Sequence, residues 1–173
     1  MHEPDLLLQA RRFRVVRQQG RTAAGRIYQR ETVQHPGAVT ILPLLEGDRI
    51  CLIQNFRLAV DETLIELPAG TREPGEDPAA TAKRELEEET GFRADRLEPL
   101  MEFYMSPGIL DERMHLFMAT GLTPGESNLD TGEQIEPLIV SWSEAMDLVA
   151  AGKIHDAKTL VGLLFYERYK RKA

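Results

Sequence analysis

Gly70-Thr71-Arg72-Glu73-Pro74-Gly75-Glu76-Asp77-Pro78-Ala79-Ala80-Thr81-Ala82-Lys83-Arg84-Glu85-Leu86-Glu87-Glu88-Glu89-Thr90-Gly91-Phe92 is the stretch on which the fold of this chain turns. Its first part, with glycines and a proline, reads as a loop. Asp77 suits a helix N-cap and Pro78 the first helical position. Gly91 suits the left-handed position just past the end, so the spacing predicts a helix containing Ala79 to Thr90. Ala79, Ala82 and Leu86 mark an apolar face. Glu85, Glu88 and Glu89 stand at i, i+3 and i+4 and share another face.

Carboxylates stacked this way repel. An unscreened pair near 4 Å costs about 4 kcal/mol at an effective dielectric of 20, although solvated surface pairs cost far less. The charges also crowd the C-terminal half of the helix, where the macrodipole disfavours them. Taken alone, such a run is most simply a solvated acidic face. The glycine-containing loop just before it argues otherwise, because a strand, a tight turn and an acidic helix then meet in one place. Hard divalent cations take oxygen ligands, and several converging carboxylates suit Mg²⁺ or Mn²⁺.

Outward from this helix the chain reads as strands with interspersed helices. Upstream, residues about 12–33 predict two or three strands with turn-like segments between them, including Gln18 to Gly25. Ile27, Gln29, Glu31 and Val33 alternate with Tyr28, Arg30 and Thr32, so neither face is wholly apolar. Such a sheet needs a cover, which points to a homodimer. His35-Pro36-Gly37 breaks the pattern. Val39–Leu45 and Arg49–Arg57 flank Glu46-Gly47-Asp48 as a hairpin, and Leu64–Leu67 is a short strand. Downstream, strands are expected near Leu97–Tyr104, Met114–Thr120 and Leu138–Trp142, and helices near Ser143–Ala151 and Asp156–Lys170. This order implies an α+β sandwich rather than a doubly wound sheet.

With 173 residues, 42% of them hydrophobic and 28% charged, the chain suits one globular domain. A formal charge of −7 argues against nucleic acid as a partner. It also makes an anionic substrate awkward unless cations mediate. Cys51 is the sole cysteine and lies in the apolar run Ile50-Cys51-Leu52-Ile53, which reads as core. Residues 1–12 carry Glu3 and Asp5 and do not read as a signal peptide. No apolar run approaches a membrane span, so no membrane partner is expected and the cytoplasm is the default location.

The 70–92 segment is similar to the Nudix hydrolase box: Gly, five residues, Glu, seven residues, Arg-Glu, an aliphatic residue, any residue, Glu-Glu, any residue, Gly, an apolar residue. Gly70, Glu76, Arg84-Glu85-Leu86, Glu88-Glu89 and Gly91-Phe92 satisfy every specified position. The resemblance implies a Nudix fold, a mixed β-sheet sandwiched between helices, spanning residues 39–173. Residues 1–38 would form an N-terminal antiparallel strand extension, part of the same unit and used for dimerisation. It further implies that Glu85, Glu88 and Glu89, with the carbonyl of Ala69, hold the Mg²⁺ or Mn²⁺. Arg84 and Glu76 would brace the loop through charged hydrogen bonds, as ligands need a supporting layer. Glu88 and Arg84 would also serve the catalytic machinery.

His35-Pro36-Gly37-Ala38-Val39, Asn55-Phe56-Arg57, Glu66-Leu67-Pro68-Ala69-Gly70 and Ser106-Pro107-Gly108 resemble segments of ADP-ribose pyrophosphatases and related nucleotide-sugar hydrolases. Individually they are ordinary turn and strand-end sequences; together and in order they point to that subgroup. The likeness covers about residues 26–166. It implies hydrolysis of ADP-ribose or another nucleoside diphosphate sugar, with Arg57, Glu31, Pro107 and Glu112 as substrate-binding residues; Asp111 beside Glu112 is a further carboxylate. The subgroup also places a catalytic carboxylate on a mobile loop. Here that loop is expected at about Thr123 to Pro137, with Gly125, Asn128, Asp130 and Gly132 in it. Glu133 is the best match for the base, with Glu126 and Glu136 as rivals. One departure is Gln29, near Arg30-Glu31, where the subgroup often has a basic residue.

Alternative substrates are GDP-sugars, dinucleotides such as NADH and dinucleoside polyphosphates. A non-catalytic Nudix-fold nucleotide sensor would call for a broken box or an added DNA-binding domain, and neither is read here. Isomerisation of an isoprenyl diphosphate would need a poised cysteine, which Cys51 does not resemble.

Overall fold

The apolar runs on either side of Glu46-Gly47-Asp48 do form a hairpin. Its strands, β4 (Ala38–Leu45) and β5 (Arg49–Arg57), meet at Leu44 and Ile50. Gly47 and Asp48 take positive φ in the turn. In this computed structural model, which describes residues 3–129 and 132–171, the hairpin lies at the centre of the molecule. The remaining elements are β1 (Asp5–Gln9), β2 (Arg14–Arg21), β3 (Ile27–Gln34), β6 (Glu62–Glu66), β7 (Ala69–Thr71), α1 (Pro78–Thr90), β8 (Phe92–Tyr104), β9 (Arg113–Pro124), β10 (Ile135–Ser141), α2 (Trp142–Ala150) and α3 (Ala157–Tyr169).

The larger sheet has the order β10-β5-β4-β9-β8, with β6 added on β5 and β7 on β4. It is mixed: β4 and β9 run parallel, and the other pairs are antiparallel. Side chains alternate across β4 and β9, so each strand feeds two cores. Val39, Ile41, Phe117 and Ala119 face Ala82 and Leu86 of α1. Leu42 and Leu116 face the other way, onto Trp142, Ala145 and Leu163 of α2 and α3. A mixed sheet between helices is the α+β arrangement the sequence implies. Among the described residues, no helix is long and apolar enough to cross a membrane.

The first three strands make a separate antiparallel sheet, β1-β2-β3. It is tied to the rest where Val33 N donates to Ile109 O and Asp111 N to Val33 O. Val16 is its buried anchor, while Leu6, Leu7 and Leu8 stay 58%, 44% and 53% exposed.

Several boundaries differ from the sequence reading. β1 precedes the strands read individually at residues about 12–33. β7 forms inside the expected loop because three residues pair with the edge of β4. β8 starts directly after the helix and β9 runs on to Pro124. The loop expected at 123–137 is therefore shorter at both ends, because Thr123 pairs with Arg93 and Pro137 with Ile53 as strand residues. Asp130 lies outside the described residues.

Candidate active site

The acidic helix is set as its sequence dictates. Asp77 caps it, accepting from Ala79 N and Ala80 N. Gly91 closes it at φ 72°, its N–H donating to Glu87 O. Ala82 and Leu86 are fully buried against the sheet, which aims the opposite face at a cleft of about 1160 Å³.

That cleft gathers most of the expected site residues. Ala69, Arg84, Glu85, Glu88, Glu89, Arg57, Glu112 and Glu133 all line it. Glu85 packs so closely on the main chain before the helix that a Cβ built at Gly70 would fall on its carboxyl group. The box glycine is required for that approach. Glu89 is 4% exposed, and Ala69 N donates to its Oε2 at 2.8 Å. Arg84 spans the other carboxylates: its Nη1 donates to Glu85 Oε1 at 2.7 Å and to Glu88 Oε2 at 2.9 Å. Its Nε and Nη2 reach the two oxygens of Glu76 at 3.3 Å. Glu76 also accepts from Glu73 N, and with Arg84 beside it this holds its carboxyl at about 2. Arg84 and Glu76 thus tie the loop to the helix.

The electrostatics separate the bracing groups from the rest. Burial pushes Glu89 up to about 8. The Ala69 N–H opposes this, and the charges of Glu85 and Glu133 add to it. Burial also raises Glu85, which Arg84 resists and Glu88 and Glu133 reinforce. Carboxylates packed into one desolvated place, with fewer donors than lone pairs, are a donor set that wants a cation. Among the described residues no three acidic, histidine or cysteine side chains yet converge closely enough to hold an ion. Arg84 sits between Glu85 and Glu88 as an internal counter-charge. The chemistry of the residues nonetheless fits a hard divalent cation.

Glu133 is half-buried in the cleft, and its charge acts on both Glu85 and Glu89. Its rivals do not line the cleft. Glu126 lies against the helix end at Gly91, and Glu136 is an exposed residue of β10 opposite Gln54. The loop itself is hooked to the helix, with Asn128 N donating to Glu88 O. Two other expected residues lie elsewhere. Glu31 pairs with Arg17 on the exposed face of β3, and Pro107 sits in an exposed turn off the cleft. Cys51 is fully buried and its thiol is pushed up to about 12 by burial, so it is inert.

The structure adds pairings between these residues and brings in Lys158. His35 stands between Asp111, which accepts from its backbone N–H, and Glu112, 3.4 Å from its Nδ1. Glu66 clasps Arg57, and Lys158 reaches Glu66 from α3. A sequence clue existed for Lys158: a cation in the first turn of a helix opposes the macrodipole.

Comparison with known proteins agrees with this geometry. The NUDIX domain family matches residues 33–161. The chain is 40% identical over 145 residues to an ADP-ribose pyrophosphatase of Bacillus subtilis (strain 168), covering 83% of this chain and 78% of that protein. It is 37% identical over 134 residues to a GDP-mannose pyrophosphatase of Cronobacter sakazakii (strain ATCC BAA-894), covering 72% and 70%. The fold matches a crystal structure of an ADP compounds hydrolase with a TM-score of 0.81 at 23% identity, over 98% of this chain and 95% of that one. The complete box, the acidic helix packed on a mixed sheet, and relatives that share most of its length make this chain a member of the Nudix family.

Proposed function

We propose that this chain is a metal-dependent pyrophosphohydrolase of nucleoside diphosphate sugars, with ADP-ribose preferred and cleaved to AMP and ribose 5-phosphate. The observation that carries the reading is one cleft lined by Ala69, Glu85, Glu88 and Glu89 together with Arg57 and Glu133. Glu85, Glu88, Glu89 and the Ala69 carbonyl would hold Mg²⁺ or Mn²⁺, which when bound offsets the charge of the phosphates and favours attack by water. Arg84 and Glu76 keep the loop in register with the helix. Arg57 offers its guanidinium to a phosphate oxygen. Glu133 takes the proton of the attacking water on a carboxylate oxygen as the new P–O bond forms and the bridging P–O bond breaks. Glu112 and its partner His35 also line the cleft, where a sugar hydroxyl would find an acceptor.

Exposed Leu6, Leu7, Leu8, Ile27 and Tyr28 on the N-terminal sheet support a homodimer in which residues 12–33 cover the partner's site. Glu31 and Pro107 would meet substrate only in such an assembly. The reading is tested with purified protein and Mg²⁺ on ADP-ribose, GDP-mannose, NADH and diadenosine polyphosphates, by kcat/KM and product identity. ADP-ribose is expected to rank first. A GDP-sugar ranking first would overturn the substrate, and turnover of none of them would favour a nucleotide sensor.

A further inference from the structure

Lys158 is a buried cation in the first turn of α3, where the positive end of the helix dipole opposes it. A buried charge in that position persists only with partners that compensate it. It has two. Its Nζ donates to Asp156 Oδ1 at 2.8 Å, and it contacts Glu66 Oε2. Asp156 is itself fixed as the helix cap, accepting from Thr159 N at 2.9 Å. Thr159 Oγ1 in turn accepts from Leu67 N at 2.7 Å, so α3 is stitched to the segment that leads into Ala69 and the box.

Glu66 is 1% exposed and stands between two cations. Arg57, which like Lys158 lines the cleft, grips it with a fork, Nε to Oε1 at 2.7 Å and Nη2 to Oε2 at 2.6 Å. Among the described residues Nη1 of Arg57 makes no hydrogen bond, and the side chain is 40% exposed where it lines the cleft. The carboxylate therefore sets the plane of the guanidinium. Lys158 shares the charge of that carboxylate, which leaves more of the positive charge of Arg57 to act across the cleft. Without Lys158, Glu66 and Asp156 would both depend on Arg57 for neutralisation and would draw it back from the substrate side.

We propose that Lys158, held by Asp156, is a positioning residue that acts through Glu66 to orient and charge Arg57 for the anionic part of the substrate. This rests on the reading of Arg57 as a phosphate contact. The test is a double-mutant cycle of Lys158→Met and Arg57→Ala. It measures kcat and KM with Mg²⁺ on ADP-ribose and GDP-mannose at 25 °C, and the melting temperature of each variant. Lys158→Met should lower kcat/KM about tenfold or more for the better substrate, mainly through KM. The double variant should be no worse than Arg57→Ala alone, because two changes acting through one contact do not add. A merely structural role would instead leave the two losses multiplying, and that outcome overturns the proposal. So does a Lys158→Met protein within twofold of wild type. If Arg57→Ala by itself leaves kcat/KM unchanged, the phosphate-contact reading fails first and takes this proposal with it. Should Lys158→Met not fold, Lys158→Gln runs the same cycle.

Discussion

Glu89→Gln, studied without metal, tests whether the box helix carries an uncompensated carboxylate. Glu89 is almost wholly buried, and its carboxyl stands at about 8 instead of 4.5. The folded state therefore keeps a proton that the unfolded chain has already lost. The contribution of Glu89 to stability is fully present below about pH 4.5 and is lost as pH rises through the window from 4.5 to about 8. The full displacement corresponds to on the order of 5 kcal/mol. Between about pH 5.5 and pH 7.5 the loss from this group should be about 2–3 kcal/mol. For a chain of this length that lowers the melting temperature by about 5–10 °C.

Glutamine keeps an oxygen to accept the Ala69 N–H but cannot ionise, so most of this dependence should vanish in the variant. A smaller slope of the same sign should remain from Glu85, whose carboxyl is also raised. Thermal or urea unfolding in EDTA across that range measures both proteins. A wild-type curve and a Glu89→Gln curve with the same pH slope would refute the reasoning. Adding Mg²⁺ near pH 8 should restore the wild type strongly and the variant weakly.

Three further outcomes are expected. Gly70→Ala should destabilise the protein by about 1–3 kcal/mol. It should also cost more kcat than that loss explains, since the new methyl displaces Glu85; kinetics well below the melting point separates the two effects. Glu133→Gln should lower kcat by about 10²–10⁴-fold with little change in KM. Glu126→Gln and Glu136→Gln should be near wild type, and a larger loss in either control would move the base. Light scattering at micromolar concentration should find a dimer, and a fully active monomer would reject the role given to residues 12–33.

What the sequence disclosed follows from how local each signal is. The box helix needs only its own residues: an Asp77 cap, a Pro78 start, a Gly91 stop and an apolar stripe at helical spacing. All of these are seen in place. The β4–β5 hairpin is legible for the same reason, with apolar runs flanking a short turn. β1 was not legible because Leu6, Leu7 and Leu8 do not alternate with polar residues. They become a strand only by pairing with β2, across a register shift between Leu6 and Leu8. β7 is three residues long and exists because β4 offers an edge. The contact of Lys158 with Glu66 joins positions far apart in the chain, and periodicity carries no trace of it. Glu31 and Pro107 entered the expected site by resemblance alone, and this chain's own cleft does not contain them.

The placement of the acidic face also explains how the helix tolerates it. Glu85 and Glu89 are both buried enough to have raised carboxyls, a cost the helix cannot recover along its own length. Leu86, lying between them in sequence, is fully buried in the opposite direction with Ala82 and is worth about 1.5–3 kcal/mol as an apolar side chain removed from water. Thr90 Oγ1 closes the last turn on Leu86 O, and Gly91 satisfies Glu87 O. Packing and capping thus hold in place a face that electrostatics alone would open. Among the described residues Arg84 relieves Glu85 and Glu88 but does not reach Glu89, which keeps a single donor from Ala69. The least compensated carboxylate is therefore the one most deeply set beside the loop that precedes the box. That is where a divalent cation gains most by binding, and why, as Glu89 ionises, metal-free stability should fall while metal binding strengthens.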